Sequence, residues 1–227
     1  MLWPSDSKLT RIAVFFDGGY FDEVSRYYKY IHPRKARLSI QGIQAFIRRM
    51  VAEREKVEEA LCQIVEAHYF RGRFSATDAS AAGKLEDQAA FDDVLIRTGV
   101  VQHYLPIRLR EGRPQEMGID VWLSLEAFDL AVHKRFDVCA LVCCDSDYVP
   151  LARKLNGIGT RTMVLAWDFQ YEFNDRVGNQ RKKETRTSQA LIDACTYPVI
   201  MAPIVDDRSR KDDPVIKGLF VEPSWSS

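Results

Sequence analysis

Ile12-Ala13-Val14-Phe15-Phe16-Asp17-Gly18-Gly19 is the stretch whose reading decides the fold. A short apolar run ended by an acid and two glycines reads as a buried strand running into a sharp turn. A second run of the same kind, Val138-Cys139-Ala140-Leu141-Val142-Cys143-Cys144, ends at Asp145-Ser146-Asp147. A third acid, Asp120, follows Gly118-Ile119 at the start of an apolar helical stretch. Ending buried strands in carboxylates is costly unless something compensates the charge. In open α/β sheets the compensation is usually a ligand at the carboxyl ends of the strands. Hard oxygen donors gathered there point to magnesium or manganese.

Outward from these strands, apolar runs and helical periodicities alternate. Strands are expected at 11–16, 63–70, 100–107, 138–144, 161–166 and 198–202. Helices are expected over 20–31, after a Ser39 cap, and over 85–98, 120–134, 148–156 and 188–194. Residues 75–83 and 110–118 read as loops and 168–188 as a polar stretch. Alternation with short links implies βαβ units, right-handed crossovers and a parallel sheet covered on both faces. All carboxyl ends of such a sheet point the same way, so Asp17 and Asp145 can meet. Residues 206–227 are expected to be a tail, loosely ordered unless docked.

The chain has 227 residues, 46% of them hydrophobic, which suits one α/β domain. Its 32 basic and 32 acidic residues balance, and the pI is near 6.9. That argues against a strongly basic nucleic-acid module but leaves local patches open. Five cysteines with no Cys-x-x-Cys pair read as reduced thiols of a cytoplasmic protein. No apolar run approaches the roughly 18 residues of a membrane span, and Met1 to Thr10 lacks a signal peptide's apolar core. The four histidines show no zinc spacing. There is no nucleophile elbow and no phosphate-binding Gly-Lys loop.

Each acid also has a bland reading. Asp17 can start a turn or cap the next helix. Asp145 is the better ligand of its pair, while Asp147 is ligand, cap or both. Asp120 sits where a helix dipole favours an anion anyway. The joint pattern carries the functional reading, because a parallel sheet can bring these elements together. Such a cluster repels itself, so a carboxyl rises in pKa or a divalent cation occupies the site. Two-metal sites for phosphoryl transfer use this arrangement, with ions about 4 Å apart.

Phe15-Phe16-Asp17-Gly18-Gly19-Tyr20, Gly118-Ile119-Asp120-Val121 and Asp145-Ser146-Asp147-Tyr148-Val149-Pro150-Leu151 resemble the NYN domain family of the LabA-like type. That family lies within the PIN-like nuclease superfamily. The motif order matches, as does the glycine-led strand from Gly157 to Val164. The resemblance covers roughly residues 11–205. It implies a three-layer α/β/α sandwich, PIN-like and Rossmann-like, with a mainly parallel central sheet. It also implies a metal-dependent ribonuclease site in which Asp17, Asp120, Asp145 and Asp147 hold Mg2+ or Mn2+. Two positions depart from the pattern: Tyr20 stands where members often have Asn, and Met117 where a basic residue often precedes the glycine. These departures touch substrate handling more than metal binding.

A single-stranded RNA substrate needs cations and aromatic faces near the acids. Trp167, Phe169, Tyr171 and Phe173, followed by Arg176, Arg181, Lys182 and Lys183, are expected on the same edge as Asp145. Their bland reading is a solvated loop with its aromatics in the core. Tyr20, Arg71, Arg73 and Ser146 join the candidate substrate contacts, with Arg108, Arg110 and Arg113 nearby. Two alternatives stand beside the ribonuclease. One is an RNA-binding or regulatory module that keeps the fold without turnover. The other is a metal-dependent phosphohydrolase of small molecules. The aromatic-rich surface is also compatible with a homodimer.

Overall fold

The structure, a computed structural model, describes residues 8–110, 113–174, 178–210 and 212–221. Its central sheet has six strands: β1 (Thr10–Asp17), β2 (Cys62–Arg73), β3 (Val101–Pro106), β4 (Val138–Val142), β5 (Arg161–Ala166) and β6 (Tyr197–Ile200). Their order in space is β6-β5-β4-β1-β2-β3, and every neighbouring pair is parallel. This is the doubly wound order. The chain winds outward from β1 through β2 to β3, then returns to β4 on the other side. The winding reverses between β1 and β4, and open α/β sheets bind ligands at that reversal.

Alternation along β1 explains the three layers. Successive side chains of a strand face opposite sides of the sheet. Ile12, Val14 and Phe16 join the core on one face, with Val24 of α1 (Gly18–Arg26), Ile43 and Ile47 of α2 (Ile40–Glu55), and Leu95 of α3 (Leu85–Arg97). Ala13 and Phe15 face the other way, against Leu123 and Ala127 of α4 (Ile119–Lys134) and Leu151 and Leu155 of α5 (Val149–Gly157). The expected α/β/α sandwich is therefore present. Ser39 caps α2 by accepting a hydrogen bond from Gly42 N at 3.0 Å, and Pro150 stands in the first turn of α5.

Three stretches differ from their sequence reading. Residues 76–81 form a short helix, because Ser75 Oγ accepts from Asp78 N at 3.1 Å and caps an alanine-rich turn. Arg108–Arg110 and Arg113–Gln115 pair as a small hairpin. Phe169–Asn174 and Gln180–Thr185 form a second hairpin on the carboxyl edge. Ring alternation at Phe169, Tyr171 and Phe173 has the period of a strand.

Residues 213–221 dock onto the same core. The helix Pro214–Gly218 lies on α2, and Phe220–Val221 pairs antiparallel with Arg37–Leu38. Gly42 permits the contact: a Cβ there would lie 1.8 Å from Gly218 O. Among the described residues no helix is long and apolar enough to cross a membrane. All five cysteines are free thiols.

Candidate functional site

Register places the acids. Phe16 pairs with Val142, so β1 and β4 end side by side, and Asp17 and Asp145 leave the sheet at adjacent points. Asp17 caps α1. Its Oδ1 accepts from Gly19 N at 2.9 Å and Tyr20 N at 3.1 Å. Its Oδ2 accepts from the buried Tyr148 hydroxyl at 2.9 Å. Burial raises the Asp17 pKa above the usual carboxylate range. The Tyr20 N–H, Tyr148 O–H and Gly19 N–H bonds oppose that rise, and the negative charge of Asp120 adds to it. Burial first, and then the same two acids, also raise the pKa of the Tyr148 hydroxyl.

Asp120 therefore shares an electrostatic neighbourhood with Asp17. Gly118, at φ 79°, provides the left-handed turn into α4. Asp145 accepts from Asp147 N at 3.3 Å and from Ser146 Oγ at 3.2 Å. Asp145, Ser146 and Asp147 are exposed on a single helical turn at the same edge. Burial pushes the Cys144 thiol up to about 12, with Asp17 and Asp145 adding to the rise.

The donor chemistry suits a hard divalent cation, since a half-buried carboxyl raised by desolvation and, to a lesser degree, by a neighbouring acid is relieved by one. Among the described residues, no three acids, imidazoles or thiols are gathered at ligand geometry. The fit rests on the Asp17–Asp120 pair, with Asp145 and Asp147 on the adjoining turn.

Glu116 also reaches this edge, although no motif in the sequence marks it. Its Oε2 accepts from Gly72 N at 3.2 Å. A Cβ built on Gly19 would lie 3.8 Å from the same oxygen and 3.2 Å from Asp17 Oδ1. A further carboxylate thus borders the acid edge. Its only sequence signal was an acid two residues before Gly118.

The expected substrate contacts divide. Asp17 pairs with Phe70, so Arg71 and Arg73 of β2 extend past it. Arg71 bonds Asp22 at 3.0 Å, and Arg73 bonds Asp92 at 2.6 Å. Tyr20 and Trp167 are core residues, 5% and 1% exposed. The Tyr20 hydroxyl accepts from Trp167 N at 2.8 Å. Both rings are packed away from solvent, where a base could not reach them. Phe169 stacks on Tyr27 with ring centres 4.1 Å apart. Arg181 and Lys182 are exposed on the hairpin, while Lys183 pairs with Glu23 at 3.1 Å. Arg176 and the side chains of Arg108, Arg110 and Arg113 lie outside the described residues.

A histidine pair sits under the neighbouring part of the sheet. His68 Nδ1 lies 2.9 Å from His103 Nε2, and His68 Nε2 lies 3.0 Å from Glu66 Oε2. Glu66 also pairs with Lys134. A neutral His68 that donates to Glu66 must accept at Nδ1, so His103 is the donor between them. Protonating both rings would set two N–H groups face to face. Burial lowers both histidine pKa values: Glu66 opposes this for His68, and His68 adds to it for His103. The unfolded chain therefore takes up these protons first as pH falls. The stability is intact above the unfolded pKa of about 6.5 and is lost as pH falls from there toward the lowered folded values. Urea unfolding should show a lower midpoint at pH 5.5 than at pH 7.5. Equal midpoints would contradict this account of the pair.

A match to the family description "NYN domain" spans residues 11–202. The chain belongs to the NYN domain family. This is a PIN-like nuclease family, typically metal-dependent and associated with RNA. No curated protein matches this sequence. Among solved structures, the NYN chain is similar to a protein of unknown function from Vibrio parahaemolyticus. The two are 19% identical, with a TM-score of 0.55, and the match covers 96% of this chain and 99% of that one. That likeness concerns the fold.

Proposed function

We propose that this NYN domain is a metal-dependent ribonuclease of the LabA-like type that hydrolyses single-stranded RNA. Asp17, Asp120, Asp145 and Asp147 are its acid set, and Mg2+ or Mn2+ is its ion. The observation that carries this reading is Asp17 itself. It is a capping carboxyl held above its usual pKa by burial and by Asp120, at the point where the strand order reverses.

A bound divalent cation would supply charge stabilisation at the phosphoryl oxygens and activation of water. The chain's own residues do the positioning. The Gly19 and Tyr20 amides and the Tyr148 hydroxyl hold both oxygens of Asp17 in one orientation. Asp120 and the Asp145–Asp147 turn complete the acidic rim. Arg71, Arg73 and Ser146, with Arg181, Lys182 and Lys183 on the hairpin, are the polar groups assigned to the phosphate backbone.

A second reading is a binding module with the same fold and no turnover. It draws on Tyr20, whose hydroxyl is engaged by the Trp167 backbone at the position where the family resemblance leads one to expect Asn. Labelled single-stranded RNA incubated with Mn2+ separates the two. Ribonuclease action predicts cleavage by the native chain that is lost with a chelator and in Asp145→Asn. Absence of cleavage across several RNA and DNA substrates would favour the module.

A further inference from the structure

A cleft of about 570 Å³ is bounded by α1, the start of α2, α3 and the end of β2. Its walls carry six cations, Arg26, Lys29, Arg37, Arg71, Arg73 and Lys84, against three acids, Asp22, Asp87 and Asp92. The pairing is uneven. Arg26 and Arg71 share Asp22 at 2.8 and 3.0 Å, and Arg73 takes Asp92. Lys29, Arg37 and Lys84 have no carboxylate partner among the described residues. Two of these three cations sit beside aromatic rings instead: Lys29 Nζ donates to the Tyr30 hydroxyl at 2.8 Å and lies 4.6 Å from the ring centre, and Lys84 stands over Phe74 at 5.0 Å. Tyr30 is 59% exposed.

The cleft joins the acid edge. Gly72 is part of its wall, and its amide is held by Glu116, the carboxylate that also approaches Gly19 beside Asp17. Tyr69 lines the same wall, and its hydroxyl donates to Gly18 O at 3.3 Å. A chain leaving the Asp17 edge along β2 therefore enters a basic, ring-bearing groove.

We propose that this cleft is the binding track for a single-stranded nucleic acid, with phosphates on Lys29, Arg37 and Lys84 and bases against Tyr30 and Phe74. Cations without a carboxylate partner, beside aromatic rings, are the recognition chemistry of an unpaired strand. A duplex keeps its base faces stacked inside and could not use the rings. The proposal rests on the ribonuclease reading, which puts the reacting phosphodiester at Asp17, and it assigns the neighbouring nucleotides to the cleft.

The test measures fluorescence anisotropy of a labelled single-stranded RNA with the full chain, in an Asp17→Asn background so that the strand stays intact. The triple variant Lys29→Glu, Arg37→Glu, Lys84→Glu should lose affinity at least tenfold. Its log–log salt slope should become shallower by about 2, from roughly 0.7 per phosphate contact on a single strand. A control triple of exposed cations away from the cleft, Arg153→Glu, Lys154→Glu, Arg208→Glu, should change affinity less than twofold. Thermal unfolding of each variant reports whether it is folded. Unchanged affinity in the cleft triple, or equal loss in both triples, would overturn the cleft. So would competition by a mononucleotide as effective as by the intact strand. The two readings fail separately. Cleavage by native protein with an unaffected cleft triple removes the cleft alone. Cleft-dependent binding with no cleavage of any RNA removes the ribonuclease alone.

Discussion

Asp17→Asn is expected to lower metal-dependent RNA cleavage roughly 1000-fold, about 4 kcal/mol of transition-state stabilisation, without unfolding the chain. The amide keeps the local geometry. Its Oδ1 can still accept from the Gly19 and Tyr20 amides, and its Nδ2 can donate to Tyr148 Oη in place of the reverse bond. Only the charge is removed. Because the folded carboxyl has a raised pKa, its ionisation works against folding as pH rises above the unfolded value of about 3.9. The urea midpoint of Asp17→Asn at pH 7 should therefore equal or exceed that of the native chain. Asp17→Ala should lose activity equally and also lose the helix cap, at about 1–2 kcal/mol of stability. Native-level cleavage by Asp17→Asn would remove this carboxylate from the chemistry.

Trp167→Ala should cost about 3–5 kcal/mol of folding stability. Trp167 directly follows β5, is 1% exposed, and packs edge-on to Tyr20 with centroids 6.2 Å apart. Truncating a large buried ring leaves a cavity that its neighbours cannot close. The loss should appear in the urea midpoint, while the fraction that remains folded keeps its RNA affinity. A variant of native stability with lost RNA binding would mean instead that the ring meets bases. The contrast matters because aromatic content near a basic run, read from sequence alone, fits either role.

The parts that were legible share a cause. The runs before Asp17 and Asp145 are apolar at every position because both faces of the sheet are covered, and such runs stand out against turn residues. The strand-ending acids stood out for the same reason. Other features depended on contacts distant in sequence. Tyr148 reaches Asp17 only because β1 and β4 adjoin. Glu116 borders the acids only because the segment before α4 folds back onto Gly72. The cleft takes its cations from α1 and the turn after it, the Arg37–Leu38 strand, β2 and the residue before α3, so no local run announced it. The hairpin after β5 was legible in principle. Phe169, Tyr171 and Phe173 alternate with polar residues, but the many charges around them obscured the period.

The proposed ribonuclease requires Asp17 and Asp120 to share a divalent cation. A calorimetric titration of Mn2+ into the native chain, beside Asp17→Asn and Asp120→Asn, tests this most directly. Saturable binding by the native chain, weakened at least tenfold in each folded variant, is the predicted result. No binding by the native chain, or equal binding by all three, would contradict it.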